Sequence, residues 1–131
     1  MVLTKKRIQV VGAVIVDDNQ KILCAQRPEN KNLALKWEFP GGKIEAGETP
    51  VEALKRELVE EMELDISIGE KITTTEYEYD FGIVELTTYF AKILKGEIQL
   101  LEHVQIKWVN PADIEKLDWA PADIPAIEII K

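Results

Sequence analysis

The chain has a single cysteine, Cys24, in 131 residues. No internal disulfide can form, so a disulfide-stapled scaffold is excluded. Cys24 alternates with Ile22 in the run KILCAQ and is expected to be a buried strand residue, not a reactive thiol. Long apolar runs are missing too. The longest, Val10 to Val16, has seven residues with Gly12 inside it, far short of a spanning helix. The opening MVLTKKRIQV lacks the apolar stretch and small-residue cleavage site of a signal peptide, so the cytoplasm is the expected compartment and no membrane partner is expected. Basic residues are in deficit: 16 Lys and Arg against 24 Asp and Glu leave a net charge of −8. A protein that coats a nucleic acid polymer needs a basic face, so that partner class is excluded. Small phosphorylated ligands are not, because a bound divalent metal reverses the local sign. The lone histidine, His103, reads as a surface or packed side chain and not as a catalyst.

What is present suits a globular chain. Apolar residues make up 46% and charged residues 31%, and residues 1–131 are expected to form one domain. Such a chain buries roughly two thirds of its unfolded surface. RIQVVGAVIVD (7–17) reads as a buried strand and Lys21 to Gln26 as a second, joined by Asp17, Asp18 and Asn19. Arg27 to Lys36 is a polar loop, and Trp37 to Phe39 a short extended piece before Pro40. Asp65 to Leu94 reads as a long hairpin turning at Asp80-Phe81-Gly82, and Gly96 breaks it. Val104 to Val109 is a further strand. Asn110-Pro111 caps a short helix ending near Leu117, and Pro121 to Ile130 is a terminal helix with Ile124, Ala126, Ile127 and Ile130 on one side. Strands, a helix, strands and then helices make an α+β or mixed layered order. Trp37, Trp108 and Trp119 read as core or rim aromatics.

The stretch Gly41 to Leu64, GGKIEAGETPVEALKRELVEEMEL, organises the rest. Thr49, Pro50 and Glu52 mark a helix start with a capping box, and the helix is expected to end near Met62. At about 100° per residue, Val51, Leu54, Leu58 and Met62 form one apolar stripe. Glu57, Glu60 and Glu61 cluster beside it. Like charges at these spacings work against the helix, and a cation removes the penalty. Clustered carboxylates are hard oxygen ligands of the type Mg²⁺ or Mn²⁺ takes.

Gly42, Glu48, Arg56, Glu57, Leu58, Glu60, Glu61 and Leu64 match the Nudix box, G-x5-E-x7-R-E-U-x-E-E-x-G-U. One fixed position departs: Glu63 stands where that family has glycine. The chain therefore resembles a Nudix hydrolase, and the resemblance implies a Nudix fold of mixed β-sheets sandwiched between α-helices. WEFPGGKIEAGETP is similar to the MutT branch, which hydrolyses oxidised purine nucleoside triphosphates. The segments EHVQIKW and APADIP are similar to bacterial CTP pyrophosphohydrolases.

The resemblance implies that Glu57, Glu60, Glu61 and the Gly41 carbonyl bind Mg²⁺, with Mn²⁺ as the alternative. Glu102 is the implied further carboxylate near the metal. Arg56 holds glutamates in place, and Glu48 anchors the loop onto the helix. Arg27 and Lys43 meet phosphates, while Glu38, Phe39 and Asp123 line the base pocket. Water directed to the β-phosphorus releases nucleoside monophosphate and pyrophosphate, with Glu57 or Glu102 as general base. An aspartate at position 123 presents acceptors unless protonated, which suits the amino group of cytosine; alternatively it caps the terminal helix. The implied substrates are CTP, oxidised nucleotides such as 5-hydroxy-dCTP or 8-oxo-dGTP, or both, in sanitation of the nucleotide pool. Two other readings stay open: a non-catalytic nucleotide sensor, and a hydrolase of another nucleoside diphosphate derivative such as ADP-ribose. The intact carboxylate set weighs against the first. The absence of proline between Asp65 and Asn110 weighs against the second. Monomer and homodimer are both compatible with the resemblance.

Overall fold

Period-two alternation in the first two strands sorts the side chains into two cores. The computed structural model describes residues 5–131; the first four residues of the leader reading lie outside that range. Strands β1 (Arg7–Ile15) and β2 (Ile22–Gln26) lie close to the expected spans. Val11, Ala13, Ile15, Leu23 and Ala25 face one way, into a core completed by Ala53, Leu54, Leu58 and Met62 of helix α1 (Pro50–Met62). Val14, Ile22 and Cys24 face the other way, against Trp37, Trp119, Ile114, Ala126 and Ile127. The last two belong to helix α2 (Ile124–Ile130). Sheets between helices are thus a consequence of one alternation read on both faces.

The strands form two sheets. In the larger, the order is β4 (Gly41–Lys43), β1, β6 (Gly82–Lys95), β5 (Asp65–Tyr79). β1 pairs parallel with β6, while β4 and β5 pair antiparallel with their neighbours. In the smaller sheet β2 lies between β3 (Trp37–Glu38) and β7 (Gln105–Val109). The architecture is α+β and mixed, as the sequence implied. No helix among the described residues is long and apolar enough to cross a membrane.

Several local expectations need correction. Val51 is 37% exposed and not part of the buried stripe, which instead takes in Ala53; its phase matches that of Leu58 and Met62, but at the first turn of the helix no core side chain lies over it. Leu54, Leu58 and Met62 are fully buried, each contributing about 1.5–3 kcal/mol. Ile124 is 43% exposed, so the apolar side of α2 rests on Ala126 and Ile127. Both proline-led C-terminal elements open as 3₁₀ turns, at Pro111–Lys116 and Pro121–Asp123. Asn110 caps through its carbonyl, which accepts from Asp113 N–H at 2.9 Å, and not through its side chain.

Candidate active site

A cleft of about 890 Å³ runs from the exposed face of α1 to the start of α2, within the range of small-molecule sites. Its helix end is set by the α1 start. Glu52 N–H donates to Thr49 Oγ1 at 3.1 Å and Thr49 N–H to Glu52 Oε1 at 2.9 Å, completing the capping box. That fixes the helix phase and aims Arg56, Glu57, Glu60 and Glu61 at the loop before it.

Arg56 is the hub. Its Nε and Nη2 grip Glu48 at 2.7 and 2.8 Å. Nη2 also donates to the Lys43 carbonyl at 2.9 Å, and Nη1 reaches Glu57 at 3.0 Å and Glu60 at 3.1 Å. Five donors in one plane suit this task, and a lysine could not repeat it. The Arg56 guanidinium, helped by the Glu45 N–H, holds the Glu48 carboxyl down to about 2. Glu48 therefore ties loop to helix. Gly42 is required by proximity: a Cβ there would run into the Glu57 carboxyl. At Gly41 a Cβ would run into the Val11 carbonyl.

Glu61 is nearly buried, and its Oε1 has no hydrogen-bond partner. Burial, with Glu38, Glu57 and Glu102 nearby, pushes its carboxyl up to about 9. A buried, unpartnered carboxylate oxygen among other carboxylates is the environment a hard cation relieves. The donor set thus fits a divalent ion, but the carboxylates do not form a ready cage. Among the described residues no three such groups converge as metal ligands. Arg56 draws Glu57 and Glu60 toward itself. Glu102, its side chain 45% exposed, lies across the cleft in a 2.6 Å ion pair with Lys31.

The far end of the cleft, where the resemblance expects the base, is assembled from distant segments. Glu38 receives Arg27 Nη1 at 3.0 Å, and Arg27 Nε donates to the Asn32 carbonyl at 2.7 Å. Asp123 is buried, and its Oδ1 accepts from the Phe39 N–H at 3.2 Å. It makes no side-chain cap to α2, so the capping role is overturned. Burial, then the charge of Glu38, raises its carboxyl well above the ordinary aspartate range. In its protonated form it offers a donor as well as an acceptor. The acceptor-only argument for cytosine therefore loses its footing. Lys43 lines the cleft from β4.

Three contributors were not singled out in the sequence. Tyr79 and Phe81 stack with ring centroids 5.1 Å apart, and Tyr79 Oη accepts from the Ala122 N–H at 2.8 Å; both rings line the cleft. Lys31, read from sequence only as part of the polar loop, lines the cleft and pairs with Glu102. His103 is packed, as expected, but its packing partners are site carboxylates: Nε2 lies 2.9 Å from Glu38 and 3.8 Å from Glu61. Its adjacency to Glu102 was the available signal. Of the tryptophans, Trp37 and Trp119 are buried and Trp108 packs against the core. Cys24 is fully buried, and burial pushes its thiol up to about 12.

Comparison with known proteins places this cleft in context. Residues 6–128 match the NUDIX domain family. The chain is 39% identical over 123 residues to the CTP pyrophosphohydrolase of Escherichia coli (strain K12), covering 94% of this chain and 90% of that one. It is 33% identical over 129 residues to the 8-oxo-dGTP diphosphatase of the same organism, covering 96% and 98%. The solution structure of the DNA mismatch repair protein MutT, a Nudix hydrolase from methicillin-resistant Staphylococcus aureus 252, shares 56% identity. It superposes with a TM-score of 0.79 and covers 97% of each chain.

Proposed function

The chain belongs to the Nudix hydrolase family, and from that premise we propose that it cleaves nucleoside triphosphates to monophosphate and pyrophosphate. Its substrates are CTP and oxidised deoxynucleotides such as 5-hydroxy-dCTP and 8-oxo-dGTP, and its role is sanitation of the nucleotide pool. One observation carries this reading: a single cleft joins the Glu57, Glu60 and Glu61 wall to a base end made by Glu38, Phe39 and Asp123. Relatives named for CTP and for 8-oxo-dGTP support both substrate classes. The raised Asp123 carboxyl is compatible with both, since a protonated carboxyl can meet either donor or acceptor edges.

Nudix hydrolases use divalent cations. Here Glu57, Glu60, Glu61, Glu102 and the Gly41 carbonyl would hold Mg²⁺, with Mn²⁺ as substitute. When bound, the ion neutralises the triphosphate and lowers the pKa of water. Arg56 and Glu48 keep Glu57 and Glu60 on the cleft wall. Arg27, with Nε and Nη1 already engaged, turns its remaining N–H groups to phosphate, joined by Lys43. Glu57 or Glu102 accepts the proton of the attacking water. Attack at the β-phosphorus expels the nucleoside monophosphate and leaves pyrophosphate.

The test, with Mg²⁺ or Mn²⁺, is pyrophosphate release from CTP, dCTP, 5-hydroxy-dCTP, dGTP and 8-oxo-dGTP, and release of AMP with ribose 5-phosphate from ADP-ribose. Pyrophosphate and monophosphate from the cytosine or oxidised nucleotides is the expected result. Binding without release would identify a sensor, and turnover of ADP-ribose alone would reassign the substrate class.

A further inference from the structure

We propose that His103 is a positioning residue that fixes the Glu38 carboxylate toward the base end of the cleft and so sets nucleotide KM. The inference rests on the reading of Glu38 as a substrate contact. Glu38 sits on β3, a strand of two residues, so its backbone setting alone does little to aim it. Its two oxygens are instead pinned from opposite sides: Oε1 by Arg27 Nη1 at 3.0 Å, Oε2 by His103 Nε2 at 2.9 Å. A carboxylate only accepts, so Nε2 carries the proton in this pair.

The same Nε2 is 3.8 Å from Glu61 Oε2. One N–H therefore stands between two carboxylates with different duties. Without the imidazole, Glu38 Oε2 would lose this partner in a largely buried gap, and the carboxylate would be free to turn away from Arg27 and the cleft. Main-chain contacts hold the wedge in place. Leu101 N–H donates to the Glu61 carbonyl at 3.3 Å and Val104 N–H to the Gln26 carbonyl at 3.0 Å, clamping His103 between α1 and β2. The side chain is only 3% exposed, and its Nδ1 is buried with no partner. A histidine kept solely for packing normally satisfies both nitrogens. Here one is left unpaired while the other faces Glu38, which locates the purpose of the ring at Nε2.

A double-mutant cycle on the full chain tests this, with CTP and 8-oxo-dGTP as substrates at saturating Mg²⁺. His103→Ala and Glu38→Gln each raise KM by roughly tenfold, the size of one hydrogen bond to a charged group, with kcat held within about threefold. Together they cost no more than either alone. His103→Gln, whose amide nitrogen reaches the position of Nε2, restores KM; His103→Asn, which reaches only the position of Nδ1, does not. The Gln and Asn variants bury similar amides, so this contrast survives even if the alanine variant folds poorly. A raised KM in Glu38→Gln with an unchanged KM in His103→Ala overturns the inference alone. Equal behaviour of Gln and Asn, additive effects, or a fall in kcat at constant KM also overturns it. An unchanged KM in Glu38→Gln overturns the substrate role of Glu38 and the inference with it.

Discussion

At the helix end of the cleft, Arg56 reaches Glu57, Glu60 and Glu48 across one, four and eight residues, whereas at the base end Phe39 meets Asp123 across 84. The first is a local device. Helix periodicity, a capping box and one guanidinium create it, and most of its charges keep ordinary partners. The second exists only once the β5–β6 hairpin and the C-terminal turn have docked. Its central carboxyl is set by burial, not by a cation. On the proposed function, most of the metal-binding wall comes from one segment, with Glu102 the distant addition, and base choice sits where several segments must agree.

The largest effects should break the helix end. Glu61→Gln removes a proposed metal ligand whose Oε1 has no protein partner. Steady-state assays should show kcat falling about a thousandfold, equivalent to about 4 kcal/mol of transition-state stabilisation. Thermal melting without metal should move the other way, or not at all, because the substitution relieves a buried acid crowded by Glu38, Glu57 and Glu102. Full turnover in this variant would remove Glu61 from the mechanism. Arg56→Lys comes next. A lysine cannot hold Glu48 in a fork while reaching Glu57, Glu60 and the Lys43 carbonyl. The expected loss in kcat/KM is about 10–100-fold, the usual cost of disturbing groups that orient ligands, with a rise in the Mg²⁺ concentration needed for half-activation.

Asp123→Asn tests the other end. Selectivity between CTP and 8-oxo-dGTP should change by about tenfold, the value of one hydrogen bond reassigned from a carboxyl to a fixed amide. Stability supplies an independent readout. The folded Asp123 carboxyl titrates well above its unfolded value, so the native state keeps a proton that the unfolded chain has released. Its contribution to stability is complete below about pH 4 and is lost as pH rises toward the folded value. The asparagine variant lacks this slope. Its melting temperature should match the parent near pH 4 and exceed it increasingly toward neutral pH. Parallel curves would show that Asp123 is ionised in the fold.

Legibility followed the same division. Gly41 to Met62 could be read because its geometry depends on neighbours within a few turns. The capping box and the helix bounds are visible in residue spacing, whereas the roles of Arg56 and Glu48 come only through resemblance. Val51 stays exposed because a helical wheel shows phase but not how far along the helix the packing extends. Asp123 was placed in the pocket through resemblance, but its protonation was not readable, since burial arises from packing that no local pattern encodes. His103 reads as either a surface or a packed side chain, and the structure packs it. Its partners were hidden because Glu38 and Glu61 reach it through separate elements.

The smallest expected effect concerns Glu63, the one departure inside the box. It occupies the left-handed region at φ 54° and ψ 38°, where it ends α1. Its N–H donates to the Val59 carbonyl at 3.0 Å, and Leu64 N–H donates to the Leu58 carbonyl at 3.2 Å. That is the reversal glycine favours, because a Cβ in this region costs about 1–2 kcal/mol. The Glu63 side chain is exposed. Glu63→Gly should therefore stabilise the fold by about 1 kcal/mol, less the extra freedom glycine gives the unfolded chain. Chemical denaturation should show a higher midpoint at an unchanged slope, with kcat and KM unaltered. A gain in stability that came with altered kinetics would mean that the helix end and the carboxylate wall are mechanically coupled. The contrast drawn above requires that they are not: Arg56 fixes the wall from inside the helix, upstream of the turn that Glu63 makes.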